Sequence, residues 1–318
     1  MKITILGSGA AGSVFASFLK RGGADDITLI DMYKAHMDAI AEKGLTMTTP
    51  QLGTITQTGF KTAYTAEGLP KTDILIIMVK ANQTEAALSG ASDCIGENTV
   101  VVTLQNGLGN EIAIQKFVPS DRIMMGCGNM GTELPEPGHC VGRPHEGTNM
   151  FFGAVEKSEM TEKVGRYLEE CFREGGLCPL FTDKIRTYIW QKATSNSGNN
   201  TVCAITRLKI KETNADPYAY ALTVGIWKEA AAVAEAMGIH GIWEYMEADA
   251  PKVVASFGDY YPSMAQDMLI NHRQTEVDSL TGAIAYYGKQ VGVPTPFCDV
   301  LTLVVKAIQG NYDKQYLG

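Results

Sequence analysis

A lysine and two asparagines recur at four-residue intervals within Trp190-Gln191-Lys192-Ala193-Thr194-Ser195-Asn196-Ser197-Gly198-Asn199-Asn200. On a helix, Lys192, Asn196 and Asn200 line one stripe. An ammonium followed by two amides is a surface that can bind and protonate a small oxygen-rich molecule. The spacing alone equally describes a solvated helix face, and Asn, Ser, Thr and Gly all lower helix propensity. A second cluster, Ser263-Met264-Ala265-Gln266-Asp267 followed by Thr275-Glu276-Val277-Asp278, offers hydroxyls and carboxylates. Taken alone, helix capping by Asp267 or Thr275 is the simpler explanation for it.

The amino-terminal stretch carries chemistry of another kind. Lys2-Ile3-Thr4-Ile5-Leu6 has strand length and runs into Gly7-Ser8-Gly9-Ala10-Ala11-Gly12, after which Ala11 to Leu19 is compatible with a helix. Strand, glycine turn and helix in that order form the context in which G-x-G-x-x-G has a mechanism. The first glycine allows the turn, the second lets a pyrophosphate approach the backbone, and the third lets helix and strand pack closely. Ile27-Thr28-Leu29-Ile30 reads as the next strand and ends in Asp31, about 20 residues beyond the glycines, where a carboxylate can accept from a ribose hydroxyl. These features predict a dinucleotide site.

The elements that must hold these groups fall into two halves. A chain of 318 residues suggests two domains. In the first half, strands and helices alternate: a helix over 34–43 stopped by Gly44, short antiparallel strands within 45–61, a doubly buried strand over 73–79, a helix over 83–88, a strand over 99–104 and a helix from about Glu111. Short strands broken by Gly and Pro occupy 122–153 and read as a sheet extension, and 159–173 is a closing helix. Past Thr182 the pattern turns helical, over 185–200, 218–237, 264–271, 275–290 and 297–310. The expected architecture is α/β: an N-terminal doubly wound sheet of Rossmann type over 1–182 and an all-α domain over 183–318. Its apolar helices supply that domain's core, and a homodimer interface on part of it is the alternative use of the same residues.

Composition narrows the partners. Hydrophobic content of 45% with 19% charged residues suits a globular protein, and 27 basic against 35 acidic residues give a net charge of −8. That balance argues against nucleic acid or an anionic membrane as the main partner. No signal segment or membrane-spanning run is apparent, so a cytoplasmic location is expected. Seven cysteines without C-x-x-C and five histidines without ligand spacing predict reduced thiols and no metal site.

Together, G-x-G-x-x-G at the start, Val79-Lys80-Ala81, Gln105-Asn106-Gly107-Leu108-Gly109-Asn110, W-x-K-x-x-x-N-x-x-x-N from Trp190, and S-M-x-Q-D followed by T-E-x-D make the chain resemble the ketopantoate reductase family. The likeness runs from the first strand to about Pro294. It implies NAD(P)H-dependent reduction of 2-dehydropantoate to pantoate, a step of pantothenate biosynthesis. In that reading Gly7, Ser8, Gly9, Ala10, Ala11 and Gly12 hold the cofactor with Asp31, and Lys80 and Asn106 lie on the cofactor side of a cleft between the domains. Lys192 is the general acid; a lysine in that role needs a lowered pKa, which partial burial in a cleft can supply. Asn106, Asn196, Asn200 and Ser263 bind substrate, and Glu276, a second catalytic residue, binds or orients substrate and cofactor near the reacting centre.

Two departures from the family pattern matter. NADPH-dependent members carry an arginine just past the second strand, where this chain has Asp31 and Met32. A carboxylate there repels a 2'-phosphate, which favours NADH, with Lys34 or Lys80 able to compensate. The second departure is one extra residue between Ser263 and Glu276, with Pro262 in place of a common serine. That leaves open a paralogue acting on another small 2-oxo acid or ketone. A non-catalytic nucleotide sensor is the reading from a different class, and loss of Lys192, Asn196 or Asn200 is the feature that would favour it.

Overall fold

The structure, a computed structural model, describes residues 1–315. One compact unit is built from residues 1–105 and 110–185, the other from 106–109 together with the chain from Arg186 onward.

In the first unit the order is β1 (Lys2–Leu6), α1 (Ala10–Arg21), β2 (Asp26–Ile30), α2 (Lys34–Lys43), β3 (Leu45–Thr49), β4 (Gly53–Gln57), β5 (Lys61–Ala63), β6 (Ile74–Ile77), α3 (Thr84–Gly90), β7 (Val100–Thr103), α4 (Asn110–Ile114), β8 (Ile123–Gly128), β9 (Met130–Glu136), β10 (His139–Pro144), β11 (Met150–Ala154), α5 (Glu159–Gly175) and β12 (Pro179–Phe181). Eight of these strands form one sheet in the order β12-β11-β8-β7-β6-β1-β2-β5. Neighbours are parallel except β11 against β8. Successive strand residues point to opposite faces. Ile3, Ile5, Ile74, Ile76, Val100 and Val102 therefore meet α1 and α5, while Leu75, Ile77 and Val101 meet Leu88 of α3 and Ile114 of α4. Helices on both faces explain why these strands are continuously apolar.

Helix α1 is buried without a break from Gly12 to Leu19. A second sheet, ordered β4-β3-β10-β9, is responsible for its outer cover. Gly142 of β10 rests on Val14, where a Cβ would stand 3.0 Å from the valine methyl. The expected extension of one sheet over 122–153 is thus corrected: β8 and β11 join the large sheet, whereas β10 pairs in parallel with β3, about 90 residues earlier in the chain. The antiparallel pair β3–β4 forms as expected.

The second unit is helical: α6 (Ile185–Thr206, its first residue belonging to the first unit), α7 (Ile210–Ala215), α8 (Pro217–Ala236), α9 (Ile242–Phe257), α10 (Ser263–Leu269), α11 (Thr281–Val291) and α12 (Pro296–Gln309). Its core joins Ala193 and Val202 of α6, Ile226, Ala230 and Val233 of α8, Ile284 of α11 and Leu301 of α12. The expected helix over 275–290 begins only at Thr281; Val277–Ser279 is a single 3-10 turn. Helices α7 and α9 are additions to the sequence reading. Helix α12 opens on Pro296, and its exposed N–H groups are satisfied from another helix. Glu229 of α8, buried to 9% exposure, accepts from Phe297 N at 2.7 Å and Cys298 N at 2.8 Å. All seven cysteines are free thiols, and among the described residues no helix is long and apolar enough to cross a membrane.

Helices α1 and α5 pack backbone to backbone at two glycines. A Cβ on Gly22 would lie 1.8 Å from the Cys171 carbonyl oxygen, and one on Gly175 would lie 2.2 Å from that of Phe18. Gly23 has φ +94 but no neighbour within 4 Å. Denaturant titration should therefore show Gly22→Ala losing about 3 kcal/mol through overpacking and Gly23→Ala about 1 kcal/mol through backbone strain alone. The reverse order would contradict the helix contact.

Candidate active site

The glycine loop divides its three tasks as the spacing predicts. Gly7 has φ +95, and a Cβ there would stand 2.5 Å from Val79 N. Gly12 leaves room for the Gly7 carbonyl, which would lie 2.2 Å from an added Cβ. Gly9 has no neighbour within 4 Å of such an atom. The first and third glycines are required by packing, while the middle one faces open space at the N-terminus of α1. No side chain caps this end of the helix. First-turn N–H groups there lack intrahelical partners and favour an anion. Ser8 is buried; its hydroxyl accepts from Ile30 N at 3.1 Å and donates to Ile5 O at 3.2 Å, which ties the loop to both β1 and β2. Ala10 and Ala11 form the first helical residues, half-buried. These features fit a dinucleotide: an open, uncapped helix end reached over a glycine, with a carboxylate at the end of the next strand.

That carboxylate is Asp31, just past β2. One of its oxygens accepts from Tyr33 N at 2.8 Å, which holds the side chain and leaves the other oxygen able to accept from a ribose hydroxyl. Met32 beside it is 83% exposed. The Lys34 ammonium lies 4.7 Å from the centre of the Tyr64 ring. Lys80, half-buried, follows β6 and opens the 3-10 turn Ala81–Gln83. Its segment is anchored by a group the sequence reading did not single out. Gln105, buried, donates from Nε2 to Val79 O at 2.7 Å and Thr84 Oγ1 at 2.8 Å, and accepts from Thr103 Oγ1 at 2.8 Å.

The remaining residues expected at the site lie in the second unit. Asn106 belongs to the short segment 106–109 that clusters with it. Ser279 O accepts from Leu108 N at 2.8 Å, and Gly107, at φ +95, lies so close that a Cβ would stand 2.5 Å from that oxygen. Glu276 immediately precedes the turn Val277–Ser279, and its carbonyl accepts from Ser279 Oγ at 3.0 Å. The structure thus brings the Asn106 and Glu276 segments together. Lys192, Asn196 and Asn200 all lie on α6, the first two half-buried and the third 6% exposed. Asn200 Nδ2 reaches 3.5 Å from Oγ of Ser263, the exposed first residue of α10.

Two capping roles are corrected. Asp267 sits inside α10 and accepts from Arg273 Nε at 2.6 Å. Thr275 Oγ1 donates to Gln309 Oε1 at 2.8 Å, so it ties its segment to α12, and it also accepts from Val277 N at 3.3 Å.

Comparison with known proteins agrees with this reading of fold and loop. The family model described as ketopantoate reductase PanE/ApbA matches residues 3–156, and that of the PanE/ApbA C-terminal region matches 184–309. A 2-dehydropantoate 2-reductase of Lactococcus lactis is 32% identical over 318 residues, spanning 96% of this chain and 97% of its own length. Among solved structures, a ternary structure of D-mandelate dehydrogenase with NADH and anilino(oxo)acetate is 30% identical with a TM-score of 0.88, covering 99% of this chain and 100% of that one. The 2-dehydropantoate 2-reductase of Geobacter metallireducens is 25% identical with a TM-score of 0.86, covering 96% and 99%. Together with fold and loop, these relatives define the class, an NAD(P)-dependent oxidoreductase. Within that class, the chain belongs to the ketopantoate reductase family.

Gly9→Ala should keep the melting temperature of the parent, since the added methyl meets nothing, yet weaken nucleotide binding roughly tenfold or more in a calorimetric titration. Gly12→Ala should lower the melting temperature before any binding is considered, because its methyl meets the Gly7 carbonyl.

Proposed function

We propose that this chain reduces the ketone of a small 2-oxo acid, with 2-dehydropantoate as the substrate the family supports best. The observation that carries the proposal is the α6 stripe: Lys192, Asn196 and Asn200 share one helix, and Ser263 lies against the last of them. Hydride for the carbonyl carbon comes from a bound dihydronicotinamide. As negative charge grows on the carbonyl oxygen, the Lys192 ammonium stabilises it and then donates its proton, so each ketone takes up one hydride and one proton to become an alcohol. Asn196, Asn200 and Ser263 hold the carboxylate and hydroxyl ends of the oxo acid, and orientation of this kind can supply a large part of the rate. Glu276, beside the Asn106 segment, orients the reacting groups. The first-turn N–H groups of α1, reached over Gly9, receive the pyrophosphate, and Lys80 and Asn106 are the further residues assigned to the cofactor.

NADH is the proposed reductant. Asp31 is held by the Tyr33 N–H where a ribose hydroxyl can donate to it, and its charge opposes a 2'-phosphate. The Lys34 ammonium rests over the Tyr64 ring, which supports the same preference.

A second reading has its own observation. The ternary structure of D-mandelate dehydrogenase with NADH and anilino(oxo)acetate aligns with nearly the whole chain. A paralogue that reduces a 2-oxo acid with a different side chain has the same mechanism on the same residues. An assay of dihydronicotinamide oxidation with 2-dehydropantoate and with aryl and alkyl 2-oxo acids separates the two by which acid turns over. Silence on every acid despite nucleotide binding would favour a sensor.

Lys192→Ala should lower kcat by about 10²- to 10⁴-fold while nucleotide affinity changes little. Equal loss of both would make the lysine a cofactor ligand. With the preferred acid, kcat/KM should be higher for NADH than NADPH, and Asp31→Ala should shrink that ratio; an unchanged ratio would remove the role assigned to the carboxylate.

A further inference from the structure

His36 of α2 is fully buried, and both nitrogens of its ring are engaged. The N–H of Gly138, in the turn between β9 and β10, donates to Nδ1 at 2.8 Å. An imidazole nitrogen that accepts carries no proton, so the neutral ring has its proton on Nε2. Nε2 lies 2.9 Å from Ser13 Oγ, and the Ser13 hydroxyl proton is directed to the Ser8 carbonyl at 2.8 Å. The polarity of the chain is then Gly138 N–H to Nδ1, Nε2–H to Ser13 Oγ, and Ser13 O–H to Ser8 O, with the ring also in reach of the Ser8 backbone.

The last acceptor belongs to the peptide that joins Ser8 to Gly9. No described peptide bond is cis. In a trans peptide the carbonyl and the N–H point in opposite directions. Drawing Ser8 O inward to the buried Ser13 therefore turns Gly9 N–H outward, the orientation an anion at the helix end requires. We propose that His36 is a positioning residue for the nucleotide: as the Nε2–H tautomer it sets, through Ser13, the peptide that offers Gly9 N–H to the pyrophosphate. This rests on the reading of the glycine loop as a dinucleotide site and adds to it a support from the second sheet.

Proton binding to His36 opposes this arrangement. A protonated ring presents a donor at Nδ1 to the Gly138 donor, so the first link is lost. Around the ring, Asp31 beyond β2 favours protonation, and Tyr33 stacks on it with centroids 6.1 Å apart. The flanks of the β9–β10 turn bring Glu136 and His139, which lie 3.4 Å from each other, and α1 brings no charged residue before Lys20. Burial outweighs both Asp31 and a hydrogen bond from the ring to the Ser8 backbone, and holds the pKa of His36 below its ordinary 6.5. A ring released from its partners binds a proton more readily than the native one. The linked stability is therefore complete above pH 6.5 and is lost as pH falls below that value towards the lower native pKa.

The test is calorimetric titration of the full-length chain with NAD⁺ and with NADP⁺. Ser13→Ala and His36→Leu should each weaken binding roughly tenfold, and the double variant should be no weaker than either alone, because both break one chain. His36→Gln, whose amide retains a donor near the Nε2 position, should recover most of the affinity. Affinity of the parent should be constant above pH 6.5 and fall as pH drops below that value, and the Ser13→Ala profile should be flatter. Should His36→Leu fail to fold, Ser13→Ala and its pH profile still decide. Parent-like binding by Ser13→Ala, or additive losses in the double variant, would overturn the role of His36 alone. Failure of the parent chain to bind either nucleotide would overturn the dinucleotide reading and this inference with it.

Discussion

The first unit depends on one close approach, that of the Gly12 α-carbon to the Gly7 carbonyl. A single added carbon at Gly12 would stand 2.2 Å from that oxygen, well inside contact distance. The approach brings the start of α1 down against the end of β1, and Gly7 can accept it because its φ of +95 is open to glycine. Consequences run outward from there. Helix α1 is buried from Gly12 to Leu19, so it must be covered on its outer side, and the β4-β3-β10-β9 sheet provides that cover. An open helix end thus becomes a fixed feature of a packed core, with Ser8 bound to β1 and β2 holding the loop in place.

Helix α6 faces the opposite difficulty. Its stretch Thr194-Ser195-Asn196-Ser197-Gly198-Asn199-Asn200 is poor in helix formers, so its conformation must come from packing. Gly198 shows how: a Cβ there would meet the Trp227 indole nitrogen at 2.3 Å, so α6 and α8 touch where only a glycine fits. Thr194, Ser197 and Thr201 are buried, and their hydroxyls have no hydrogen-bond partner among the described residues, which leaves contact area as what holds this face. Polar groups on a helix held in that way gain a rigid base, and rigidity is what the roles proposed for Lys192, Asn196 and Asn200 require.

Buried polar groups elsewhere do similar work at a distance in sequence. Glu229 satisfies the first N–H groups of α12, Gln105 anchors the chain before Lys80, and His36 links the β9–β10 turn to Ser13. Each group is paired on more than one side, as burial requires. A lone His36 in a sequence without ligand spacing carries no signal. Its meaning arises only when Gly138, about a hundred residues away, donates to it.

Much of the molecule was legible from its residues. The glycine turn, the doubly buried strands, Asp31 at a strand end and the move from α/β to helix near residue 185 follow from local sterics and from periodicities of two and 3.6 residues. The α6 stripe and the order of the motifs were enough to name the family. What lay beyond reach was set by contacts distant in sequence. Strands β9 and β10 left the large sheet for β3, the segment 106–109 joined the helical unit through Ser279, and Thr275 bonded to Gln309 instead of starting a helix. The physical reason is common to all three. Propensity and periodicity constrain a residue through its near neighbours, whereas sheet register, close backbone contacts and the pairing of buried polar groups are decided by whichever distant surface satisfies them at least cost.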